Sequence, residues 1–191
     1  RLSKEATKLH GEILSMSNSS DPYPNLEAET SLTRNCLTIL SHANCRVQLI
    51  TKSPIVIRDI DLLKKIPSMV SFTITSDRDD VAKMIEPNAP PVSERLKAAR
   101  TLSEEGVPVS VRIDPIIPFL NDIPEGLIET LGSIGVGHIT CSTYKVRPDN
   151  WRRFRKTLKK TAENLRPLYF EEGERMGSNI CLPKRLRSTL M

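Results

Sequence analysis

Polar and charged side chains mark the ends of several predicted strands, and segment 107–122 shows this most clearly. Its aliphatic residues alternate with Ser110, Arg112 and Asp114, which a strand would place on its opposite face. Two X-Pro bonds then end the strand, because proline has no amide hydrogen for the ladder. A guanidinium and a carboxylate at this point suit the floor of a ligand pocket, since βα barrels bind ligands at the C-terminal ends of their strands. The alternative is an edge strand with a solvated outer face.

Three earlier predicted strands, 12–17, 46–51 and 69–75, also end in small polar or charged residues. Their tips are Ser17–Asp21, Lys52-Ser53 and Thr75–Asp77. In a parallel sheet such tips gather on one side, where α/β proteins place their binding sites. No glycine-rich phosphate loop follows any strand, which disfavours the two common nucleotide-binding folds.

Helical patterns separate these strands, which predicts an α/β fold with a parallel sheet and right-handed crossovers. A fifth strand is predicted at 138–146. The predicted helices are 26–41, 56–66, 79–85, 93–105, 124–134 and 150–165, and the remainder, 166–191, is expected to be irregular.

Charge and cysteine content limit which functional classes the chain can belong to. The net charge is +5, and the segment 145–191 holds 13 Lys and Arg against 5 Asp and Glu. This basic end suits contact with phosphates, nucleic acid or a partner, or else forms a solvated helix face and tail. The four cysteines are not clustered, which argues against a self-contained metal site and favours reduced thiols in the cytoplasm. Cys36 and Cys141 are predicted in the core, and no apolar run is long enough to span a membrane.

Four segments, in order over about residues 13–150, resemble radical S-adenosylmethionine (AdoMet) proteins related to spore photoproduct lyase. Two of them follow the first two predicted strands: Ser20-Asp21-Pro22-Tyr23 with Glu27 and Leu32-Thr33-Arg34, and Thr51-Lys52-Ser53 with 58–63. The other two are Glu86-Pro87 with Ala89-Pro90 and Arg95-Leu96, and 114–118 with Leu120-Asn121-Asp122. The resemblance implies a partial (βα) barrel with parallel strands, and a [4Fe-4S] cluster that cleaves AdoMet to a 5′-deoxyadenosyl radical.

The chain also departs from the family pattern. It lacks the C-x-x-x-C-x-x-C motif whose thiolates hold the cluster, and Phe119 stands where the family usually has glycine. Ser20 replaces threonine, and Pro24-Asn25 replaces Gln-Pro. We therefore expect a C-terminal portion of a longer protein, missing the first barrel strand and the cluster loop and inactive alone. The gene is expected to carry three clustered cysteines upstream of Arg1.

The resemblance implies cofactor-binding roles for the strand tips. Ser17, Asn18 and Ser20 would meet the amine and carboxylate of AdoMet. Asp21 is a further cofactor-binding candidate, although it could instead cap the following helix. Lys52 and Ser53 could hold the carboxylate, since a lysine suits an anion as a point charge.

The later tips receive further roles on the same basis. Thr75 and Ser76 could hydrogen-bond the ribose, and Arg112 and Asp114 could contact the carboxylate or the substrate. Tyr144 could stack on adenine or substrate. In contrast, Glu86 with Arg95, and Arg58 with Asp59 and Asp61, are expected to form structural ion pairs.

Three functional hypotheses follow, with residues 1–150 as the partial barrel and 151–191 as a basic helix and tail packed on it or extending from it. The first is a portion of a radical AdoMet enzyme with an unknown substrate. The second is a nucleic-acid-binding module that uses residues 151–160, where Trp151 and Phe154 lie among arginines and lysines. The third is a non-catalytic βα scaffold. An open sheet edge would also favour self-association.

Overall fold

Five parallel strands form a curled half-barrel in a computed structural model that describes residues 1–16, 20–122 and 125–190. The sheet runs in chain order through β1 (His10–Met16), β2 (Asn44–Thr51), β3 (Ser68–Thr73), β4 (Val109–Ile116) and β5 (His138–Thr143). Every neighbouring pair is parallel, which confirms the predicted α/β partial barrel. Because β4 lies between β3 and β5, the alternative that it is an edge strand is wrong.

Ten α-helices and a short antiparallel hairpin complete the part of the chain that the structure describes. The helices are α1 (Leu2–Ala6), α2 (Glu27–Thr30), α3 (Leu32–Leu40), α4 (Ile60–Leu63), α5 (Asp79–Ile85), α6 (Val92–Glu104), α7 (Glu125–Ile134), α8 (Pro148–Thr157), α9 (Lys159–Phe170) and α10 (Lys184–Leu190). A 3₁₀ helix spans Pro54–Asp59, and the hairpin pairs β6 (Glu174–Met176) with β7 (Asn179–Cys181). None of the described helices has the length and apolar character needed to cross a membrane.

The predicted helix 26–41 is wrong as a single element. It divides at Ser31, whose φ of 51° lies in the left-handed region. The side chain of Glu27 accepts the backbone N–H of Thr33 at 2.9 Å and so caps the first turn of α3. As a result α3 buries Thr33 and Leu37 while Cys36, predicted in the core, is only half-buried, as is Cys141.

Two further predicted helices are also not single continuous α-helices. The predicted helix 56–66 begins as the 3₁₀ helix, since Asp59 turns inward and is fully buried. The predicted helix 150–165 breaks at Leu158, with φ −120° and ψ 58°, and resumes as α9.

The expectation that 166–191 is irregular is also wrong. Helix α9 continues to Phe170, and the hairpin attaches to the loop after β5 through the Val146–Ile180 backbone pair, with N–O distances of 2.8 and 2.9 Å. Gly173 permits this turn, because a Cβ there would lie 2.1 Å from the carbonyl oxygen of Tyr169. Short, exposed strands such as β6 carry no apolar alternation that a sequence pattern would reveal.

Two hydrophobic clusters hold the molecule together. The larger one fills the space between the outer face of the sheet and the helices, and the alternating residues of β4, Val109, Val111 and Ile113, belong to it. The smaller one lies beyond the strand ends, where Ile117 and Tyr144 meet Leu165 and Tyr169 of α9. The inner face carries polar residues on β3 to β5, with Ile50 of β2 paired beside Ser71.

Candidate functional site

The concave face of the half-barrel carries a row of polar side chains. Thr73, Arg112 and Thr140 are aligned in register across β3, β4 and β5, with Ser71 beside Ser110 in an adjacent row. Directly paired residues of a parallel sheet project from the same face. A polar surface on the inside of a barrel, opposite an apolar core, suits contact with a polar ligand.

A cavity of about 420 Å³ lies where this face reaches the C-terminal ends of the strands. We call this end of the half-barrel, with the loops that follow the strands, the rim. Lys52 follows β2, Asp114 belongs to β4 and Tyr144 follows β5, and all three line the cavity. Arg153 and Phe154 of α8 line it from the other side. The fold thus brings three of the predicted site residues together and adds two that the sequence analysis did not assign to the site.

Lys52 is held in place by two linked ion pairs. Its ammonium lies 3.0 Å from Oε1 of Glu86, and Oε2 of Glu86 accepts a hydrogen bond from Arg95 at 2.8 Å. The Arg95 side chain is 1% exposed and also donates to the carbonyl oxygen of Thr73 at 2.9 Å. The predicted Glu86–Arg95 structural pair is confirmed, and it positions Lys52 at the rim.

Arg112 and Asp114 form an ion pair on the concave face, with Nη2 and Oδ2 3.0 Å apart. Each side chain is 34% exposed. The guanidinium therefore keeps donors free for a ligand.

Thr75 and Ser76 are buried just past the end of β3. The Thr75 hydroxyl has no hydrogen-bond partner among the described residues, whereas the Thr75 carbonyl accepts the side-chain amide of Asn121 at 2.5 Å. The Ser76 hydroxyl accepts the N–H of Arg78 at 3.1 Å. An orphaned buried hydroxyl at a strand tip marks a place where a ligand could complete the hydrogen bonding.

The remaining predicted polar tips serve the backbone or lie elsewhere. The Asp21 carboxylate accepts from the Thr51 hydroxyl and the Lys52 N–H, both at 2.7 Å, so it joins the ends of β1 and β2. The Ser53 hydroxyl caps the 3₁₀ helix by accepting the N–H of Ile55. Ser20 is exposed, while Ser17 and Asn18 lie outside the described residues.

Tyr144 belongs to a group of rings that we call the aromatic cap, formed by Tyr144, Trp151, Phe154, Tyr169 and Phe170. The ring of Tyr144 stacks on Phe154 with centroids 5.1 Å apart, and Tyr169 meets it edge-on at 6.1 Å. The Tyr144 hydroxyl has no partner among the described residues, and burial, together with the charge of Asp149, raises its pKa to about 12. A neutral phenol closes the cavity on this side.

An ionic network, which we call the Asp59 clasp, supports the opposite side of the rim. It comprises Tyr23, Glu27, Arg34, Arg58, Asp59 and Asp61. The fully buried Asp59 accepts from the Tyr23 hydroxyl at 3.1 Å, from Arg34 at 2.9 Å and from Arg58 at 2.9 Å. The predicted ion-pair role of Arg58, Asp59 and Asp61 is thereby confirmed.

The outer members of the Asp59 clasp extend it to α2. Arg34 donates two hydrogen bonds to Asp61, each 2.9 Å, and Arg58 donates to Glu27 at 2.7 Å. Burial raises the pKa of Glu27, but the N–H of Thr33 and the Arg58 guanidinium outweigh it and hold that pKa below its usual value. Glu27 therefore remains an anion between two elements.

A second groove, of about 680 Å³, lies at the opposite ends of the strands. Aliphatic side chains such as Val47, Leu63 and Ile66 line much of it, and Arg46 and Lys64 lie at its edge. Neither the polar row of the concave face nor the linked ion pairs of Lys52, Glu86 and Arg95 line this groove.

A family model described as the radical SAM superfamily matches residues 1–131. The chain belongs to the radical SAM superfamily. It is 39% identical over 116 residues to an uncharacterized protein of Methanocaldococcus jannaschii, covering 60% of this chain and 44% of that protein. It is 32% identical over 137 residues to an uncharacterized protein of Acidianus two-tailed virus, covering 68% of this chain and 45% of the other. The chain thus spans less than half the length of these curated relatives.

Solved structures of spore photoproduct lyase share the fold. A complex with the dinucleoside spore photoproduct superposes with a TM-score of 0.68 at 17% identity, over 98% of this chain and 58% of that one. A doubly substituted lyase with bound AdoMet and the dinucleoside spore photoproduct gives the same TM-score and identity, over 98% of this chain and 59% of the other. The resemblance drawn from the four sequence segments is confirmed at the level of family and fold.

The residues present do not fit an iron–sulfur cluster. The part of the chain that the structure describes has no group of three or more His, Cys, Asp or Glu that could hold a metal ion. All four cysteines are free, and burial raises the pKa of the Cys36, Cys45 and Cys141 thiols, which disfavours the thiolate form that iron requires. In contrast, the Thr75 hydroxyl, which has no partner among the described residues, and the partly exposed Arg112 guanidinium are polar groups that could hold the polar parts of AdoMet.

Proposed function

We propose that this chain forms the AdoMet-binding part of a radical SAM enzyme that generates a 5′-deoxyadenosyl radical for hydrogen abstraction from a substrate. Such a cofactor carries the difficult chemistry, while protein groups bind and orient it. The cysteines that hold the [4Fe-4S] cluster would come from residues outside this chain. Anaerobic reconstitution of the 191 residues is expected to load no stoichiometric iron, and a cluster absorption band would contradict this.

The observation that carries this proposal is the polar concave face of β3 to β5, which leads to the C-terminal ends of the strands, where Asp114 lines the cavity. Arg112 would hold an anionic group of AdoMet or of the substrate, and Thr75 would hydrogen-bond a ribose hydroxyl. Lys52, fixed by Glu86, would add a second cation at the rim. The polar residues that follow β1, Ser17 to Ser20, would meet the methionine amine and carboxylate, while Asp21, Ser53 and Ser76 would shape the neighbouring backbone.

Equilibrium dialysis with AdoMet tests this assignment. Arg112→Gln and Thr75→Val should each weaken binding, the latter by about 2- to 10-fold for one lost hydrogen bond. Thr38→Val is a matched control, because Thr38 is exposed on α3, away from the rim. No saturable binding, or full affinity in both rim variants, would favour the non-catalytic scaffold instead.

A second candidate function is nucleic-acid binding through residues 151–160. The cationic side chains of this segment are exposed, and Arg152, Arg155 and Lys156 have no ion-pair partner among the described residues. Three of the matched spore photoproduct lyase structures contain a dinucleoside ligand, which supports a related ligand here. Binding should weaken steeply with salt, and Arg155→Gln should lower the slope of log affinity against log salt by about one.

Two lesser proposals concern the localisation of the protein and its self-association. Four free thiols fit a reducing cytoplasm. Strands β1 and β5 each have one unpaired edge within the described sheet, which favours self-association. Sedimentation at several concentrations would reveal it.

A further inference from the structure

Phe119 combines two unfavourable features in the loop after β4. Its φ of 66° is in the left-handed region, and its side chain is 61% exposed. A bulky residue avoids this conformation because its Cβ crowds the backbone, and a large ring gains little from facing water. Among the described residues, Ser31 is the other non-glycine residue with positive φ.

Buried hydrogen bonds impose the conformation of this loop. The Asn121 side chain accepts the N–H of Ile117 at 2.7 Å and donates to the carbonyl oxygens of Thr75 and Pro115 at 2.5 and 2.9 Å. The backbone N–H of Phe119 donates to the Asp122 carboxylate at 3.2 Å. The loop is therefore tied to the tip of β3, and the ring of Phe119 is presented at a fixed place.

Residues next to Phe119 in the loop share a hydrophobic cluster with the basic helix α8. Ile117 is buried in the same cluster as Tyr144, and Leu120 packs against that cluster together with Trp151 and Phe154 of α8. The loop that carries Phe119 and helix α8 thus border one hydrophobic cluster, and Ile117 and Arg153 line the same cavity. An aromatic platform next to an array of cations is the usual arrangement for binding single-stranded nucleic acid.

We propose that Phe119 stacks on a base of a nucleic-acid strand whose phosphates lie along α8. This inference rests on the nucleic-acid-binding function proposed above and names the side chain that would hold a base. It also explains why a strained backbone carries an aromatic ring, since strain at exposed positions collects where a side chain serves a ligand.

A protein surface, including a second copy of this chain, is a poorer occupant. The segment 145–191 carries 13 basic against 5 acidic residues, so two such faces would repel each other. The flat ring and the cations instead match the base and phosphate of one nucleotide.

The variant Phe119→Gly tests the role of the ring in ligand binding without destabilising the fold. Glycine accepts positive φ without strain, so the variant should melt at or above the wild-type temperature. Its affinity for a fluorescent oligothymidylate of about ten nucleotides should fall about 5- to 150-fold, the loss expected for one stacked base. The salt dependence should stay unchanged because the phosphate contacts remain. Phe119→Tyr should retain wild-type affinity.

Ser31→Gly is the matched control, because it relieves the other positive φ, between α2 and α3, and should leave affinity unchanged. Wild-type binding that Phe119→Gly does not alter would overturn the stacking role alone. No binding of the oligothymidylate by the wild type at low salt would overturn the nucleic-acid-binding function and the stacking role together. If Phe119→Gly abolished self-association and not oligothymidylate binding, the ring would belong to a contact between copies.

Discussion

The two sides of the rim are built by different physical means. On the side of β1 and β2, the Asp59 clasp connects loops through charged hydrogen bonds of 2.7 to 3.1 Å. On the side of β5, the aromatic cap closes the rim through ring contacts with centroids 5.1 to 6.1 Å apart. Charges with fixed partners specify one geometry, whereas packed rings tolerate small shifts.

This difference assigns distinct tasks to the two sides. The Asp59 clasp leaves its buried carboxylate fully bonded, so in the proposed function it would hold the loops after β1 and β2 in place for a cofactor. The aromatic cap borders the cavity and contains the Tyr144 hydroxyl, which has no partner among the described residues, so in the proposed function it would adapt to a substrate. The following predictions test that contrast.

Asp59→Ala should have the largest effect. It leaves the guanidinium groups of Arg34 and Arg58 and the Tyr23 hydroxyl without their buried acceptor, which costs about 3–5 kcal/mol of unfolding free energy. Urea denaturation measures this loss. Asp61→Ala is the control, because Asp61 binds the same Arg34 at an exposed position and should cost at most about 1 kcal/mol. Equal effects of the two changes would show that burial does not distinguish them.

Two tyrosines of the aromatic cap should differ in a similar way. Tyr169→Phe removes a hydroxyl that donates to the carbonyl oxygen of Tyr144 at 2.6 Å, and should cost about 1–2 kcal/mol. Tyr144→Phe removes a buried hydroxyl without a partner among the described residues, and should change stability by less than about 0.5 kcal/mol or increase it. Thermal unfolding of both variants makes the comparison, and a larger loss in Tyr144→Phe would contradict it.

Acid should weaken the Asp59 clasp through Glu27. Its pKa is lower in the folded state, so its stabilising effect is present above the unfolded value of about 4.3 and disappears as pH falls through the folded value. Glu27→Gln should therefore flatten the loss of stability below about pH 4.3. Glu29→Gln, an exposed change on the same helix, should leave the wild-type profile. An unaltered acid profile in Glu27→Gln would refute the assignment.

The strand pattern could be predicted because it depends on local alternation. Residues 109–113 of β4 show alternation of period two, and the structure buries Val109, Val111 and Ile113 as expected. The break at Ser31 could not be predicted, since it depends on Glu27 capping the next helix. The hairpin 174–181 also escaped prediction, because its stability comes from the distant backbone pair of Val146 and Ile180.

The candidate site also has a part that local sequence predicts and a part that it does not. Segment order indicated the strand tips, and the structure brings Lys52, Asp114 and Tyr144 to one cavity. The contribution of Phe154 required the tertiary position of α8, which no local pattern contains. The link from Lys52 to Glu86 joins residues 34 positions apart, and the proline that follows Glu86 was the only local sign of its special position.

Hydrogen–deuterium exchange of the 191-residue chain with and without AdoMet tests the central claim most directly. Bound AdoMet should slow exchange at the strand tips, in the segments 51–53, 73–76 and 112–116, while the opposite strand ends near the second groove exchange as before. Slowing confined to that groove, at segments 63–69 and 106–109, or no slowing at saturating AdoMet, would contradict the account.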